Sequence, residues 1–179
     1  MIRNATPDDL GAITDIYNEA ILEGGFSGYL EPLSVENRRA WLLAHPDPFS
    51  VLVTTVEGAV VGYVALSPYR GGRGAFRETC EISYYFASQH RGRGLGKEAI
   101  RYAIDQARHS GFRVMVAMIL ANNQRSVDML LRFGFAVSGR IPNGAKINGS
   151  YVDHLYVSRD ISPETRAHEA RAHEQPRPA

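Results

Sequence analysis

Residues 81–96, EISYYFASQHRGRGLG, join a strand-forming run to a glycine-rich turn and then to the start of a helix. The apolar and aromatic residues 82–86 are typical of a strand, and in residues 97–110 the apolar positions recur at helical spacing. A strand that passes through three alternate glycines into a helix presents unpaired backbone N–H groups and the positive end of a helix dipole. The stretch therefore predicts an anion site, most naturally for phosphate.

The composition predicts one globular domain. The chain has 179 residues, of which 44% are apolar, enough for a continuous core. Twenty basic and nineteen acidic residues leave a net charge of +1, so no global charge excess indicates nucleic acid or an anionic membrane as partner. The N-terminus lacks the apolar core of a signal peptide, and the longest apolar run, residues 114–121, is too short to cross a bilayer. We expect a cytoplasmic protein.

Cysteine and histidine usage argues against disulfide and metal chemistry. Cys80 is the only cysteine, which excludes an internal disulfide and a multi-cysteine metal site. Four of the six histidines, His45, His90, His109 and His154, are dispersed along the chain. The other two, His168 and His173, have one residue too many between them for a zinc-binding helix motif. We therefore predict no metal, and we interpret Cys80 as a buried small residue.

Local patterns predict alternating helices and strands over residues 1–161. The predicted strands are 2–4, 49–55, 59–66, the one that contains Glu81, 114–120, 135–140 and 151–157. The predicted helices are one that begins at Pro7 and stops at Gly24, one capped by Ser34, 97–110, and one capped by Asn122 or Asn123. We expect a loop at 26–32, a hairpin turn at Glu57-Gly58, and turns throughout 142–149. Residues 162–179 have almost nothing to bury, so we predict a disordered tail or at best a frayed helix.

Two nucleotide-binding patterns fit the glycine turn poorly. The dinucleotide fingerprint needs its third glycine where Lys97 stands, since Gly96 comes one residue early. The nucleoside triphosphate loop fits Gly96-Lys97, but Arg91 replaces its first glycine and Glu98 replaces the hydroxyl residue that binds magnesium.

The remaining pattern, Arg91-x-x-Gly94-x-Gly96 between a strand and a helix, resembles the pyrophosphate loop of the GCN5-related N-acetyltransferases, the GNAT superfamily. Asn123 followed by Ser126, and then Gly134-Phe135, resembles a later motif of the same family. The chain is most similar to its phosphinothricin and methionine sulfoximine acetyltransferases. The residues that carry this likeness are Tyr17-Asn18-Glu19-Ala20, Glu31-Pro32, Val61-Gly62-Tyr63, Glu81, Phe86, His90-Arg91-Gly92, Lys146, Gly149, Tyr151 and Asp153.

The resemblance covers about residues 2–161 and implies an α/β fold of the α+β type. This fold has a mixed, strongly twisted central sheet flanked by helices, in which the strand before the glycine turn splays from its neighbour to accept acetyl-CoA. The resemblance implies that the strand backbone at Tyr84, Tyr85 and Phe86 pairs with the pantetheine arm as an added strand would. It also implies further cofactor-binding residues, namely Arg91, Gly92, Arg93, Gly94, Leu95, Gly96, Lys97 and Asn123.

The resemblance makes Glu81 the general base that deprotonates the acceptor amine, because relatives place a catalytic glutamate five residues before Phe86. An apolar strand raises the pKa of a carboxylate, which suits this role. Relatives carry a histidine or a tyrosine general acid where this chain has Leu130, which cannot donate a proton. Protonation of the thiolate then falls to water, to the incoming ammonium or to another group such as Tyr85.

The acceptor site is implied by the same likeness. Residues 26–32 and 69–76 match the loops that enclose the acceptor in relatives, which makes Phe26, Tyr29 and Arg73 candidate substrate-binding residues. An arginine can bind the carboxylate of an amino acid in a bidentate manner. Gly28-Tyr29-Leu30 differs from the Thr-Phe usual in this loop, which argues against a specific phosphinothricin activity.

Three functions follow as hypotheses. The first is an acetyl-CoA-dependent N-acetyltransferase acting by direct transfer on a small amine, such as an amino acid or its analogue. The second is acetylation of protein N-termini or lysines, and the third is a non-catalytic acetyl-CoA-sensing module, encouraged only by Leu130. Dimers are common among the relatives, so we also expect a homodimer.

Overall fold

The computed structural model describes residues 1–165 as one mixed sheet flanked by four α-helices. The strands are β1 (Ile2–Asn4), β2 (Ser50–Val56), β3 (Ala59–Pro68), β4 (Thr79–Phe86), β5 (Val114–Leu120), β6 (Ala136–Ile147) and β7 (Ser150–Asp160). The helices are α1 (Leu10–Glu23), α2 (Val35–Leu43), α3 (Leu95–His109) and α4 (Gln124–Arg132). The α+β class that we predicted is confirmed.

The sheet opens between its two central strands. Its order is β1-β2-β3-β4-β5-β7-β6, and only β4 and β5 run parallel. These two strands pair over three residues only, the last pair being Glu81 with Val116. On its other side β4 stays paired with β3 from Cys80 to Phe86. From Ile82 onward, β4 therefore has a free edge, and the splayed strand pair is confirmed.

Each face of the sheet has its own core. The α3 and α4 side packs residues such as Ile100, Ala103 and Leu130 against β4 and β5, and Cys80 is fully buried there as we interpreted it. On the other face, α1 and α2 cover Val53, Tyr63 and Tyr85. One face of α1 is buried and consists of Leu10, Ile13, Tyr17, Ala20 and Ile21.

The helix caps follow the sequence. Ser34 Oγ accepts a hydrogen bond from the Asn37 N–H at 3.2 Å at the start of α2. At α4, the cap is Asn123, whose Oδ1 accepts from the Ser126 N–H at 3.2 Å. Helix α3 begins two residues before the predicted start, at Leu95, because Gly94 in the left-handed region forms its N-cap.

The prediction of turns throughout residues 142–149 is wrong. Strand β6 continues through this segment to Ile147, and the hairpin turns only at Asn148-Gly149. A shift in strand register between Ile141 and Ala145 accommodates the turn-forming residues, and Asn143, with a φ of 55°, donates its N–H to Asp153 Oδ1.

The predicted tail lies mostly outside the described residues, which end at Thr165. Its first residues are helical from 163 to 165, with Ser162 buried and Glu164 paired with Arg113. Within residues 1–165, no helix is long and apolar enough to cross a membrane.

Candidate active site

Two connected clefts open where β4 leaves β5. The large cleft, of about 490 Å³, runs along the end of β4, the glycine turn and α4. The small cleft, of about 140 Å³, lies between the splayed strands and reaches residues 26–28. They share five lining residues, namely Phe26, Tyr84, Tyr85, Asn123 and Ser126. A long ligand in the large cleft can thus present one end to a second molecule in the small one.

The glycine turn presents a row of free backbone donors. Within residues 1–165, no protein acceptor takes a hydrogen bond from the backbone N–H groups of residues 92–96. Gly92 and Gly94 have φ values of 80° and 86°, which residues other than glycine rarely adopt. These donors lie at the N-terminus of the 15-residue helix α3, where the helix dipole adds positive potential. The turn therefore fits a pyrophosphate.

Helix α1 holds this turn in place. Both carboxylate oxygens of Glu19 accept from the Ser88 N–H, at 3.2 and 3.1 Å. One turn further along α1, Glu23 pairs with Arg91 at 2.6 Å. Arg91 Nε also donates to the Phe86 carbonyl at 2.7 Å. The Arg91 guanidinium thus fastens the turn to β4 and α1, while the residue still lines the large cleft.

The free edge of β4 forms one wall of both clefts. Tyr84 and Tyr85 line both, and Phe86 lines the large one. Tyr84 donates its hydroxyl proton to the Ser126 carbonyl at 3.3 Å, and burial raises its pKa to about 12. An extended ligand with amide groups can pair with such an edge in the manner of an added strand.

Helix α4 supplies cleft residues that the sequence reasoning missed. Arg125, Asp128, Met129 and Arg132 recur every three or four positions and face the large cleft. This spacing was the available signal. With Arg91 and Lys97, four basic residues and one acidic residue line the cleft, which favours a phosphorylated ligand.

Most predicted cofactor residues lie together. The lining of the large cleft includes Tyr84, Tyr85, Phe86, Arg91, Gly92, Gly94, Gly96, Lys97 and Asn123. Arg93 and Leu95 are not among the lining residues, and Leu95 packs against the α3 core instead.

Glu81 sits where the strands separate. It is the last β4 residue paired with β5, and its other cross-strand neighbour is Ser67. Alternation along β4 puts it on the same face as Ser83 and Tyr85, which line the small cleft. Burial raises the pKa of the Glu81 carboxyl, and within the described part of the chain the carboxylate has no hydrogen bond or ion pair. Glu81 itself does not line either cleft.

Access to the clefts differs among Leu130, Cys80 and Tyr85. Leu130 is fully buried in the α3 and α4 core. Burial raises the pKa of the Cys80 thiol to about 12, so this thiol stays protonated and inert. Tyr85 lines both clefts.

The candidate acceptor residues are more scattered. Phe26 lines both clefts, and its ring centroid lies 5.8 Å from the Arg91 guanidinium. Tyr29 is exposed and contacts the ring of Tyr17 edge-on at 6.0 Å. Arg73 precedes a short helical turn at Gly74–Phe76 and does not line either cleft. No group of three potential metal ligands occurs in residues 1–165.

Comparison with known proteins identifies the family of the chain. The model of the acetyltransferase (GNAT) family matches residues 13–135, more than half of the chain, so the chain belongs to the GNAT family. It is 34% identical to the L-amino acid N-acyltransferase MnaT of Escherichia coli over 165 residues, 92% of this chain and 95% of that protein.

Two further relatives agree in sequence and in fold. The L-methionine sulfoximine/L-methionine sulfone acetyltransferase of Salmonella typhimurium is 36% identical over 165 residues, 89% of this chain and 94% of that protein. A crystal structure of a GNAT phosphinothricin acetyltransferase from Sinorhizobium meliloti, in complex with acetyl-CoA, superposes with a TM-score of 0.85. The two are 29% identical, and the match covers 90% of this chain and 88% of that one.

Proposed function

We propose that the chain is an acetyl-CoA-dependent N-acetyltransferase that acetylates the primary amine of an amino acid or a close analogue by direct transfer. The observation that carries the proposal is the row of unpaired N–H groups at residues 92–96, beside the free edge of β4. Together they match the two polar parts of acetyl-CoA, its pyrophosphate and its pantetheine amides. The names of the relatives, an L-amino acid N-acyltransferase and an L-methionine sulfoximine/L-methionine sulfone acetyltransferase, support an amino acid as acceptor.

In this proposal the acceptor occupies the small cleft. Glu81 takes a proton from the acceptor amine, either directly or through a water, so that the neutral nitrogen can attack. A base with a raised pKa suits this task better than an exposed carboxylate. A backbone N–H of the splayed strand near Phe86 stabilises the oxyanion, and Tyr85 gives a proton to the departing sulfur.

Assembly and location belong to the same proposal. We propose a homodimer, supported by exposed large apolar side chains on the last strands of the sheet, which are Met118, Val137, Ile141 and Tyr151. We also propose a cytoplasmic location, where acetyl-CoA is available. Sedimentation of the purified chain tests the dimer, and a monomer at micromolar concentration would contradict it.

The test of the activity is a screen of acceptors. The purified chain is incubated with acetyl-CoA and methionine sulfoximine, methionine sulfone, phosphinothricin or each standard amino acid, while free thiol is measured and products are identified by mass spectrometry. We expect thiol release with one or more amino acids and a matching N-acetyl product. Acetyl-CoA binding by calorimetry without thiol release from any amine would replace the proposal with a sensing module.

A further inference from the structure

Arg38 on α2 is a buried cation without a counter-ion. The residue is only 5% exposed, and within residues 1–165 no carboxylate pairs with it. Nη2 donates to the hydroxyl of Tyr63 at 3.0 Å, while Nε is buried without any hydrogen-bond partner. A buried charge of this kind destabilises a fold unless its surroundings compensate.

Aromatic rings provide the compensation. The guanidinium carbon lies 3.6 Å from the ring centroid of Trp41, 4.6 Å from that of Tyr17 and 5.6 Å from that of Tyr63. Ring faces attract a cation but do not neutralise it. The positive charge of Arg38 therefore acts on whatever negative charge develops nearby, in a region of low dielectric constant.

The residue that links this cluster to the clefts is Tyr85. Its ring packs edge-on against Tyr17 at 4.7 Å and is tilted against Tyr63 at 5.5 Å. Burial raises the pKa of Tyr85 well above its ordinary value, the nearby phenols of Tyr17 and Tyr63 add to this, and the charge of Arg38 opposes it. Burial alone would make Tyr85 a poor proton donor, and the charge of Arg38, held against the two rings that contact Tyr85, acts in the opposite direction.

The same cluster reaches the acceptor loop. The Tyr17 hydroxyl accepts a hydrogen bond from Ser27 Oγ at 2.9 Å, and Ser27 Oγ accepts from the Tyr29 N–H at 3.1 Å. Ser27 is buried and lines the small cleft. Tyr17 thus contacts both Tyr85 and the loop over the acceptor.

We propose that Arg38 is a positioning residue for the transfer reaction. With Tyr17 and Tyr63 it fixes Tyr85 at the junction of the two clefts, and its unneutralised charge stabilises the negative charge that appears on the Tyr85 oxygen. This inference rests on the proposed function and deepens it. Because Leu130 cannot donate a proton, the proposed general acid is Tyr85, and Arg38 is the group that supports it.

Atoms and electrons balance in the proposed step. Glu81 first takes one proton from the acceptor ammonium and passes it to solvent. The neutral nitrogen then forms a bond to the thioester carbonyl carbon and gives a second proton to Glu81. The bond between carbon and sulfur breaks, sulfur keeps the electron pair, and the hydroxyl proton of Tyr85 goes to sulfur. The proton on Glu81 returns to the Tyr85 oxygen through solvent, which restores both residues and leaves an amide and a thiol.

A double-mutant cycle tests the proposal. Arg38→Met keeps much of the length of the side chain and removes the charge, whereas Arg38→Lys keeps the charge. For Arg38→Met we expect a kcat at least about tenfold below wild type, a fraction of what a general acid contributes, with the KM for acetyl-CoA changed less than twofold. Arg38→Lys should retain more activity than Arg38→Met. In a Tyr85→Phe background, neither substitution should lower kcat further.

The outcomes separate the two levels of inference. An equal loss on Arg38→Met in both backgrounds, or a raised KM with unchanged kcat, would overturn the positioning role and leave the acetyltransferase proposal intact. A wild-type chain that releases no thiol with any amine would contradict both. If Arg38→Met does not fold, Tyr63→Phe removes only the hydroxyl that Arg38 contacts. It should lower kcat with Tyr85 present and not in the Tyr85→Phe background, and an equal loss in both backgrounds would again reject the role.

Discussion

At the scale of single residues, the strand pairing of Glu81 determines where its carboxylate lies. It is the last residue of β4 that pairs with β5, so its side chain lies at the narrow end of the opening between the strands. The neighbouring residues on the same face, Ser83 and Tyr85, line the small cleft. Because burial already raises its pKa, the carboxylate gains from accepting a proton.

We expect Glu81→Gln to lower kcat by roughly 10- to 1,000-fold, which overlaps the lower part of the roughly 100- to 10,000-fold that general acid–base catalysis contributes. The amide keeps the size of the side chain but cannot accept the proton of the amine. The dissociation constant of acetyl-CoA, measured by calorimetry, should change less than about twofold, because the phosphate donors are untouched. An unchanged rate would remove Glu81 from the mechanism.

The pH dependence of the rate should show the same group. In the proposed mechanism activity depends on the ionised form of Glu81, so kcat is expected to fall as pH decreases through a pKa above the ordinary value of 4.5. His45 lies one strand away, hydrogen-bonded to Ser67, and burial lowers its pKa. The fall in kcat at low pH is therefore assigned to Glu81 only if this fall is absent from the residual activity of Glu81→Gln. If kcat still falls at low pH in this variant, the titrating group is another residue.

The raised pKa of Glu81 should also make the stability of the fold depend on pH, in the direction opposite to that of the activity. Since the folded-state pKa of Glu81 is raised, its contribution to the free energy of unfolding is fully present below the unfolded pKa and is lost as pH rises through the folded one. Glu81→Gln should therefore unfold at a higher temperature than wild type at about pH 8, and this difference should vanish at about pH 4, near the ordinary pKa of a carboxyl group. Equal melting temperatures at both pH values would contradict the raised pKa.

Single residues also show what could not be predicted from the sequence. The position of Glu81 on a strand before the glycine turn followed from local pattern and from the resemblance. Arg38 gave no such signal, because an arginine on a short helix is ordinarily exposed. Its burial results from contacts with α1 and β3, which only the folded chain brings together.

At the scale of elements, the turn before α3 is defined by backbone conformation. Gly94→Ala and Gly111→Ala form a matched pair, since both glycines have positive φ, at 86° and 84°, and open space around the added Cβ. Each substitution should destabilise the fold by about 1–2 kcal/mol, the cost of left-handed backbone. Only Gly94→Ala should weaken acetyl-CoA binding, by tenfold or more in calorimetry, because it lies among the phosphate donors. Equal affinities of the two variants would argue against this turn as the phosphate site.

The pairing of β3 with β4 depends on another glycine. A Cβ at Gly62 would lie 2.1 Å from Cδ1 of Phe86, whose ring therefore rests directly on the β3 backbone. Gly62→Ala should displace that ring from the large cleft and destabilise the fold by about 1–3 kcal/mol, as overpacking does. Gly139→Ala on β6 is the control, since its Cβ would meet only Tyr156 Cβ at an ordinary 3.8 Å. Denaturant unfolding measures both, and a smaller loss for Gly62→Ala than for the control would contradict this packing.

Elements with a strong local signal were predicted well. The hairpin of β2 and β3 and strand β5 lie where the sequence placed them, because β-branched runs and turn residues determine them locally. The error at residues 142–149 has a local cause as well. Pro142, Asn143 and Gly144 are typical of turns, but the long partner strand β7 keeps β6 extended and reduces the irregularity to a bulge.

At the scale of the whole molecule, ligand binding and folding are linked. Acetyl-CoA bound along β4, the glycine turn and α4 would connect elements on both sides of the opening. At 100 times its dissociation constant it should add about 2.7 kcal/mol to the free energy of unfolding, which raises the melting temperature by roughly 5–10 °C for a chain of this size. Pantetheine without phosphate should give a smaller shift in thermal unfolding. An equal shift from pantetheine would place the binding energy outside the glycine turn.

The global arrangement was the part that local patterns left open. Strand order was not predicted, and the splay of β4 from β5 was implied only by the family resemblance, because both depend on contacts far apart in the chain. Helix α4 lines the large cleft because of that arrangement. Its residues Arg125 and Arg132 reach the cleft only when the fold places α4 beside β4.

The free edge of β4 also concerns the behaviour of the protein in solution. An unpaired strand edge is a template on which other extended chains can add, and folded proteins usually hide or shorten it. Here the edge runs only from Ile82 to Phe86 and forms a wall of the two clefts, which residues 26–28 and α4 also line. The backbone groups that the proposed reaction uses are thus also a liability for aggregation, which the shortness of the edge limits. Aggregation during storage should accordingly be slower with acetyl-CoA present than without it.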